Sequence, residues 1–241
     1  VETKEYRERI SGAMLACSVD YAYPGDAPSA LFLHGAGPSN REHAAYLSAV
    51  FAEAGRSVVR FDYPGHGESS GTIEGSSLER RHDEARAVIK RFGMDAGSLC
   101  LVGTSMGGYI AASLVKDYAV DALVLFCLAA YDRIAWSVPF GPAFSAILRR
   151  DLSCLESDVD ERLGAFAGRS LIALAGRDEV IPEKVVGMYQ SVLGKNAGHS
   201  TLILEESPHP IHRWAADKPE ARERIKAALR GALWPQEEGG E

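Results

Sequence analysis

Gly103-Thr104-Ser105-Met106-Gly107-Gly108 is the stretch of this chain best suited to chemistry. It follows the apolar run Leu99-Cys100-Leu101-Val102 and precedes the helical run Tyr109 to Tyr118, so its context is strand, sharp turn, helix. A serine on such a turn exposes its hydroxyl at the C-terminal end of a sheet, and glycines two residues to either side remove side chains that would collide with the neighbouring strand and helix. The helix start aims free N–H groups and a positive dipole end at the same point. Ser105 is therefore the candidate nucleophile. An unassisted hydroxyl reacts poorly at neutral pH, so it needs an imidazole to take its proton, a carboxylate to orient that imidazole and N–H donors for the oxyanion.

Other glycine and histidine clusters fit their chemistries less well. Gly35-Ala36-Gly37-Pro38-Ser39-Asn40 starts like a dinucleotide fingerprint but has Asn40 where a third small residue must pack against the helix. No G-x-x-x-x-G-K-[ST] phosphate loop occurs. His209-x-x-His212 lacks the glutamate of a zinc-protease helix and has no nearby cysteine. The reading is a mechanism with no metal and no cofactor.

With the Ser105 turn in place, the chain resembles the α/β-hydrolase family from about Leu31 to the final helix. His34-Gly35-Ala36-Gly37 looks like the family's oxyanion loop, which implies that the backbone N–H groups of Ala36 and Met106 hold the oxyanion. Asp62-Tyr63-Pro64-Gly65-His66-Gly67-Glu68-Ser69 is similar to a structural turn of the family, which leaves His66 outside the chemistry. The family's order of serine, acid, histidine implies Asp178 as the acid, in Gly176-Arg177-Asp178-Glu179, and His209 as the base. The acid motif is one residue shorter than usual, so Glu179 stands as a substitute; His212, three residues after His209, is the alternative base. His43, His82 and His199 read as solvated surface residues.

These groups need a scaffold that brings distant strand ends together. Short apolar runs ending in glycine-containing turns alternate with helical segments, the pattern of a parallel sheet covered on both faces. Six parallel strands are expected at Ala30–Leu33, Ser57–Asp62, Ser98–Val102, Ala122–Cys127, Ser170–Ala175 and Thr201–Leu204. Helices are expected at Arg41–Ala54, Leu78–Phe92, Met106–Tyr118, Pro182–Leu193 and Ile211–Leu233, and Ile10–Tyr23 should add one or two antiparallel strands. The fold class is thus α/β, a mostly parallel central sheet with helices on both faces. Leu128 to Gly168 is too long for a simple crossover and reads as a small lid inserted in a single domain spanning 1–241. Its Trp136, Phe140 and Phe144 are candidate substrate contacts, with the lid's own packing as the alternative; Arg133, Arg149 and Arg150 read as surface charge that could select an acidic substrate.

Composition narrows the partners. The 241 residues are 46% hydrophobic and 24% charged, an ordinary globular balance. A net charge of −7 without a dense basic stripe excludes a phosphate-backbone reader, so no nucleic acid is expected. No run approaches a membrane span, the charged start Val1–Ile10 is unlike a secretory signal, and Cys17, Cys100, Cys127 and Cys154 lack disulfide or C-x-x-C spacing. A cytoplasmic protein with reduced thiols and a small-molecule acyl substrate is expected. The resemblance implies a serine hydrolase that cleaves a carboxylic ester, thioester or lactone through an acyl-serine. The alternatives are a peptidase or acyltransferase using the same three residues, and a non-catalytic hydrolase-like binding protein.

Overall fold

In the computed structural model, which describes residues 1–235, side chains alternate along each central strand between two apolar faces. Leu31, Leu33, Leu99, Leu101, Leu123 and Leu125 join one buried cluster, while Phe32, Cys100, Val102, Val124 and Phe126 join another. Strands buried on both sides in this way belong to a parallel sheet sandwiched between helices.

Among the described residues the strands are β1 (Glu2–Ile10), β2 (Ala13–Tyr21), β3 (Ala30–Leu33), β4 (Val58–Phe61), β5 (Leu99–Thr104), β6 (Val120–Phe126), β7 (Arg169–Arg177) and β8 (His199–Pro208). They form one sheet in the order β1-β2-β4-β3-β5-β6-β7-β8. β1 pairs antiparallel with β2, and β2 antiparallel with β4; all later pairs are parallel. The six expected parallel strands are present. The expected antiparallel lead-in begins earlier than Ile10, because β1 is a charged edge strand, ETKEYRERI, whose exposed residues carry no apolar alternation.

The helices are α1 (Ser48–Glu53), α2 (Leu78–Arg91), α3 (Met106–Leu114), α4 (Pro142–Leu148), α5 (Val159–Leu163), α6 (Glu183–Leu193), α7 (Ile211–Trp214) and α8 (Pro219–Leu233). α2, capped by the Ser77 hydroxyl, buries Leu78, Arg81, Ala85, Val88 and Ile89 at helical spacing. With α3 and α6 it covers one face; α1 and α8 cover the other.

Three expected helices are shorter or broken. In Arg41–Ala54 the first turns are irregular because the Arg41 side chain turns inward to Asp62 and Asn40 Oδ1 accepts the Glu42 N–H, leaving α1 to start at Ser48. The Met106–Tyr118 helix stops at Leu114. Ile211–Leu233 splits into α7 and α8 because Pro219 cannot continue a helix and instead opens one. The connection from Leu128 to Gly168 holds α4, α5 and two 3₁₀ turns, and it packs Phe144, Val159, Leu163 and Phe166 into the α2–α3 face.

Cys17, Cys100 and Cys127 are buried, Cys154 is half-buried, and all four thiols are free. No helix among the described residues is long and apolar enough to cross a membrane.

Candidate active site

β3 and β5 are neighbours whose chains leave the sheet in opposite directions, which opens a crevice at their C-terminal ends. Ser105 occupies that point with φ 52° and ψ −116°, a positive φ that a non-glycine residue adopts only when its surroundings hold it there. The approach is close on all sides. A Cβ on Gly107 would overlap the Leu33 carbonyl oxygen, one on Gly103 would overlap the Gly107 carbonyl, and one on Gly35 would lie 3.3 Å from Ser105 Cβ.

His209 follows β8 and Asp178 follows β7, and the pairing of those two strands brings both loops to Ser105. His209 Nε2 lies 3.1 Å from Ser105 Oγ, and His209 Nδ1 lies 2.8 Å from Asp178 Oδ2. The other carboxylate oxygen of Asp178 accepts the Val180 and Ile181 N–H groups at 2.8 and 3.0 Å. Burial pushes the Asp178 carboxyl up, but hydrogen bonds from His209, Ile181 and Val180 outweigh it and hold the group below the ordinary aspartate value. It is therefore an anion facing the imidazole. Glu179 is exposed and makes no hydrogen bond to His209.

Among the described residues, neither the Ala36 nor the Met106 N–H donates to a protein acceptor. Met106 is the first residue of α3, where such N–H groups are free by geometry. The loop bearing Ala36 is anchored by His34, whose Nδ1 donates to Gly35 O at 2.7 Å and whose Nε2 accepts the Tyr63 N–H at 3.1 Å. Burial, then the neighbouring His66, lowers the His34 pKa to about 3, so the ring stays neutral.

A cavity of about 280 Å³ opens beside Ser105 between the His34–Ala44 loop and His209–Arg213. Trp136, Phe140 and Phe144 do not line it. Trp136 stacks against Tyr109 and His82 and receives the Arg162 guanidinium 4.2 Å from its ring; Phe140 packs on Phe144, and Phe144 on Tyr131. Arg133 pairs with Glu161 and Arg150 with Asp132.

His212 faces away from Ser105, with Nε2 3.0 Å from Thr104 Oγ1 and Nδ1 3.1 Å from the Tyr46 hydroxyl. None of the three histidines expected at the surface is fully exposed. His82 is 12% exposed and pairs with Asp117 at 2.9 Å, and half-buried His43 lines the cavity. His199 is half-buried against the Ser170 hydroxyl. Asn40, His43 and Arg213 were not legible as cavity residues, because the loop of Asn40 and His43 and the helix α7 of Arg213 lie far apart in sequence and only the strand order unites them.

One trio among the described residues could hold a metal ion: Cys127, Asp178 and His209 offer ligand atoms within 4.8 Å of one another. Burial and the Asp178 charge push the Cys127 thiol up, keeping it protonated at neutral pH. A metal there would also take Asp178 and His209 away from Ser105.

Comparison with known proteins places the chain in context. The profile of the Alpha/beta hydrolase family matches residues 30–239. A proline iminopeptidase of Pestalotiopsis fici, PfmaB, is 34% identical over 120 residues, covering 48% of this chain and 41% of that protein. The chain spans less than half the length of the curated relatives it matches. Among solved structures, a putative hydrolase from Agrobacterium vitis S4 superposes with a TM-score of 0.69 at 21% identity, covering 96% of this chain and 98% of the other. Est1E of Butyrivibrio proteoclasticus, solved with ferulic acid bound, superposes with a TM-score of 0.66 at 17% identity, covering 91% and 94%.

Proposed function

The chain belongs to the α/β-hydrolase family, and on that premise we propose that it is a serine hydrolase cleaving a carboxylic ester, thioester or lactone through an acyl-serine intermediate. The observation that carries this reading is the line of contacts from Ser105 Oγ through His209 to Asp178, at 3.1 and 2.8 Å, beside two N–H groups without protein acceptors.

In the first step Ser105 Oγ bonds to the acyl carbonyl carbon while its proton moves to His209 Nε2, and the carbonyl oxygen becomes an anion held by the Ala36 and Met106 N–H groups. The anionic Asp178 keeps the Nδ1 proton on His209 and stabilises the imidazolium. Collapse breaks the bond to the leaving group, which takes the proton from Nε2. Water then bonds to the acyl carbon while giving a proton to His209 Nε2, the carbon–Oγ bond breaks to release the acid, and the proton returns from Nε2 to Ser105 Oγ.

A peptidase is the second reading, favoured by the identity to the iminopeptidase. The cavity weighs against an aminopeptidase, because among the described residues no carboxylate lines it to receive a free amino terminus.

The test is steady-state hydrolysis of a panel of aryl esters of increasing acyl length, alkyl thioesters and lactones, with wild type and Ser105→Ala. Turnover by wild type and a loss of roughly 10⁴–10⁶ in Ser105→Ala are expected. Unimpaired turnover in the variant contradicts the mechanism.

A further inference from the structure

Arginines in this chain are mostly matched to a nearby anion. Arg41 is tied to Asp62 and Glu68, Arg60 to Asp20, Arg56 to Asp121, Arg177 to Glu206 and Arg224 to Glu205. Arg213 differs. It is exposed on α7, four residues after His209, and it lines the cavity beside Ser105. Among the described residues, its guanidinium has no carboxylate within 4.0 Å and makes no hydrogen bond.

The rest of the wall leaves that charge uncompensated. No acidic side chain among the described residues lines the cavity, and the other arginine there, Arg41, is already neutralised. Three of the cavity's imidazoles, His34, His43 and His212, are pushed toward the neutral form. Burial lowers His212 to about 3, and burial together with the Arg213 charge lowers His43. Phe32, Val102, Ala44 and Ile211 give the cavity an apolar floor. A short apolar stem ending in an anion matches this arrangement, and a guanidinium fork fits a carboxylate in two-point contact. An ammonium-bearing substrate would be repelled.

We propose that Arg213 is a specificity-determining residue that selects substrates carrying a carboxylate on the part lodged in the cavity beside Ser105. This rests on the hydrolase reading above. Arg213 and Ser105 line one cavity of about 280 Å³, so a carboxylate held by Arg213 sits a few carbons from the scissile carbonyl. Because Arg213 is exposed, the preference weakens as salt rises.

The experiment compares matched ester pairs that differ in one carboxylate. On the acyl side these are mono-4-nitrophenyl adipate and 4-nitrophenyl hexanoate; on the alcohol side, 4-acetoxybenzoate and 4-methylphenyl acetate. In at least one series, the anionic-to-neutral ratio of kcat/KM should fall by roughly 10- to 100-fold in Arg213→Gln. It should fall further in Arg213→Glu and be largely retained in Arg213→Lys. A ratio unmoved by Arg213→Glu in both series overturns the proposal, and neutral-ester turnover in the same assay then shows the hydrolase reading still standing. Should no ester turn over, calorimetric titration of monomethyl adipate into Ser105→Ala and Ser105→Ala/Arg213→Gln decides it. Binding weakened by the Arg213 change supports the proposal; equal binding, or none, overturns it.

Discussion

His212 of α7 and Thr104 at the end of β5 meet beside the nucleophile: His212 Nε2 lies 3.0 Å from the hydroxyl of the residue preceding Ser105. The other ring nitrogen reaches the Tyr46 hydroxyl at 3.1 Å. One buried neutral imidazole thus holds the helix after His209, the turn before Ser105 and the 3₁₀ turn before α1 in fixed relation. It acts on the geometry of Ser105 and His209 without hydrogen-bonding to either.

His212→Phe keeps the ring's bulk but leaves the Thr104 and Tyr46 hydroxyls without their partner, which should cost about 1–3 kcal/mol. His212→Gln, able to keep one bond, should cost less. Urea unfolding measures both, and an unchanged midpoint in His212→Phe would show that the link contributes nothing.

Acid should destabilise the fold at pH values above the ordinary carboxylate range, with buried Glu84, raised to about 7, opposing the trend. His34 and His212 have folded-state pKa values of about 3, lowered by burial from an ordinary 6.5. Between those values the unfolded chain binds protons that the folded chain refuses. Their contribution is therefore full above about pH 6.5, is withdrawn as pH falls, and levels off near 3, at up to about 1.4 kcal/mol per pH unit for each ring. Denaturation midpoints from pH 8 to 4 test this, and His212→Phe should show a shallower decline. A flat profile would mean the imidazoles are accessible to protons in the fold.

Gly107 and Gly231 should respond oppositely to alanine. A methyl on Gly107 would overlap the Leu33 carbonyl, whereas nothing lies within 4 Å of one on Gly231 inside α8. Gly107→Ala should lose about 3 kcal/mol or more, and Gly231→Ala should gain roughly 0.5–1 kcal/mol. Thermal melts of the two variants compare them directly; similar shifts would contradict the close packing at the Ser105 turn.

Asp178→Asn should lower kcat by about 10⁴ while preserving the fold, because an amide cannot hold the proton on His209 Nδ1 in the same way. Steady-state kinetics on the best ester of the panel, with circular dichroism as the folding check, measure it. Wild-type kcat would remove Asp178 from the proposed relay.

How much of this was legible in the sequence follows from burial. β3 to β7 read clearly because strands covered on both faces are apolar, and β3, β4 and β5 run into turns that glycines mark; the edge strand β8 showed only in its short apolar run Thr201–Leu204. β1 did not, since an exposed edge strand has no inward face to impose alternation. The irregular start of α1 depends on Arg41 reaching Asp62, twenty-one residues away, a tertiary contact that local periodicity does not encode. Ser105 was legible from the glycines its turn requires. The cavity residues Asn40, His43 and Arg213 lack any such local signature, and Trp136 and Phe144 look alike in sequence whether they face a substrate or their own neighbours.

The central claim is that Ser105 is an activated nucleophile. Treatment with a fluorophosphonate, followed by intact mass and peptide mapping, tests it directly: Ser105 Oγ displaces fluoride from phosphorus and passes its proton to His209. One phosphonyl adduct on the Ser105 peptide of wild type, absent from Ser105→Ala and strongly slowed in His209→Gln, is the expected result. No adduct on folded wild type, or an undiminished adduct in Ser105→Ala, would contradict it.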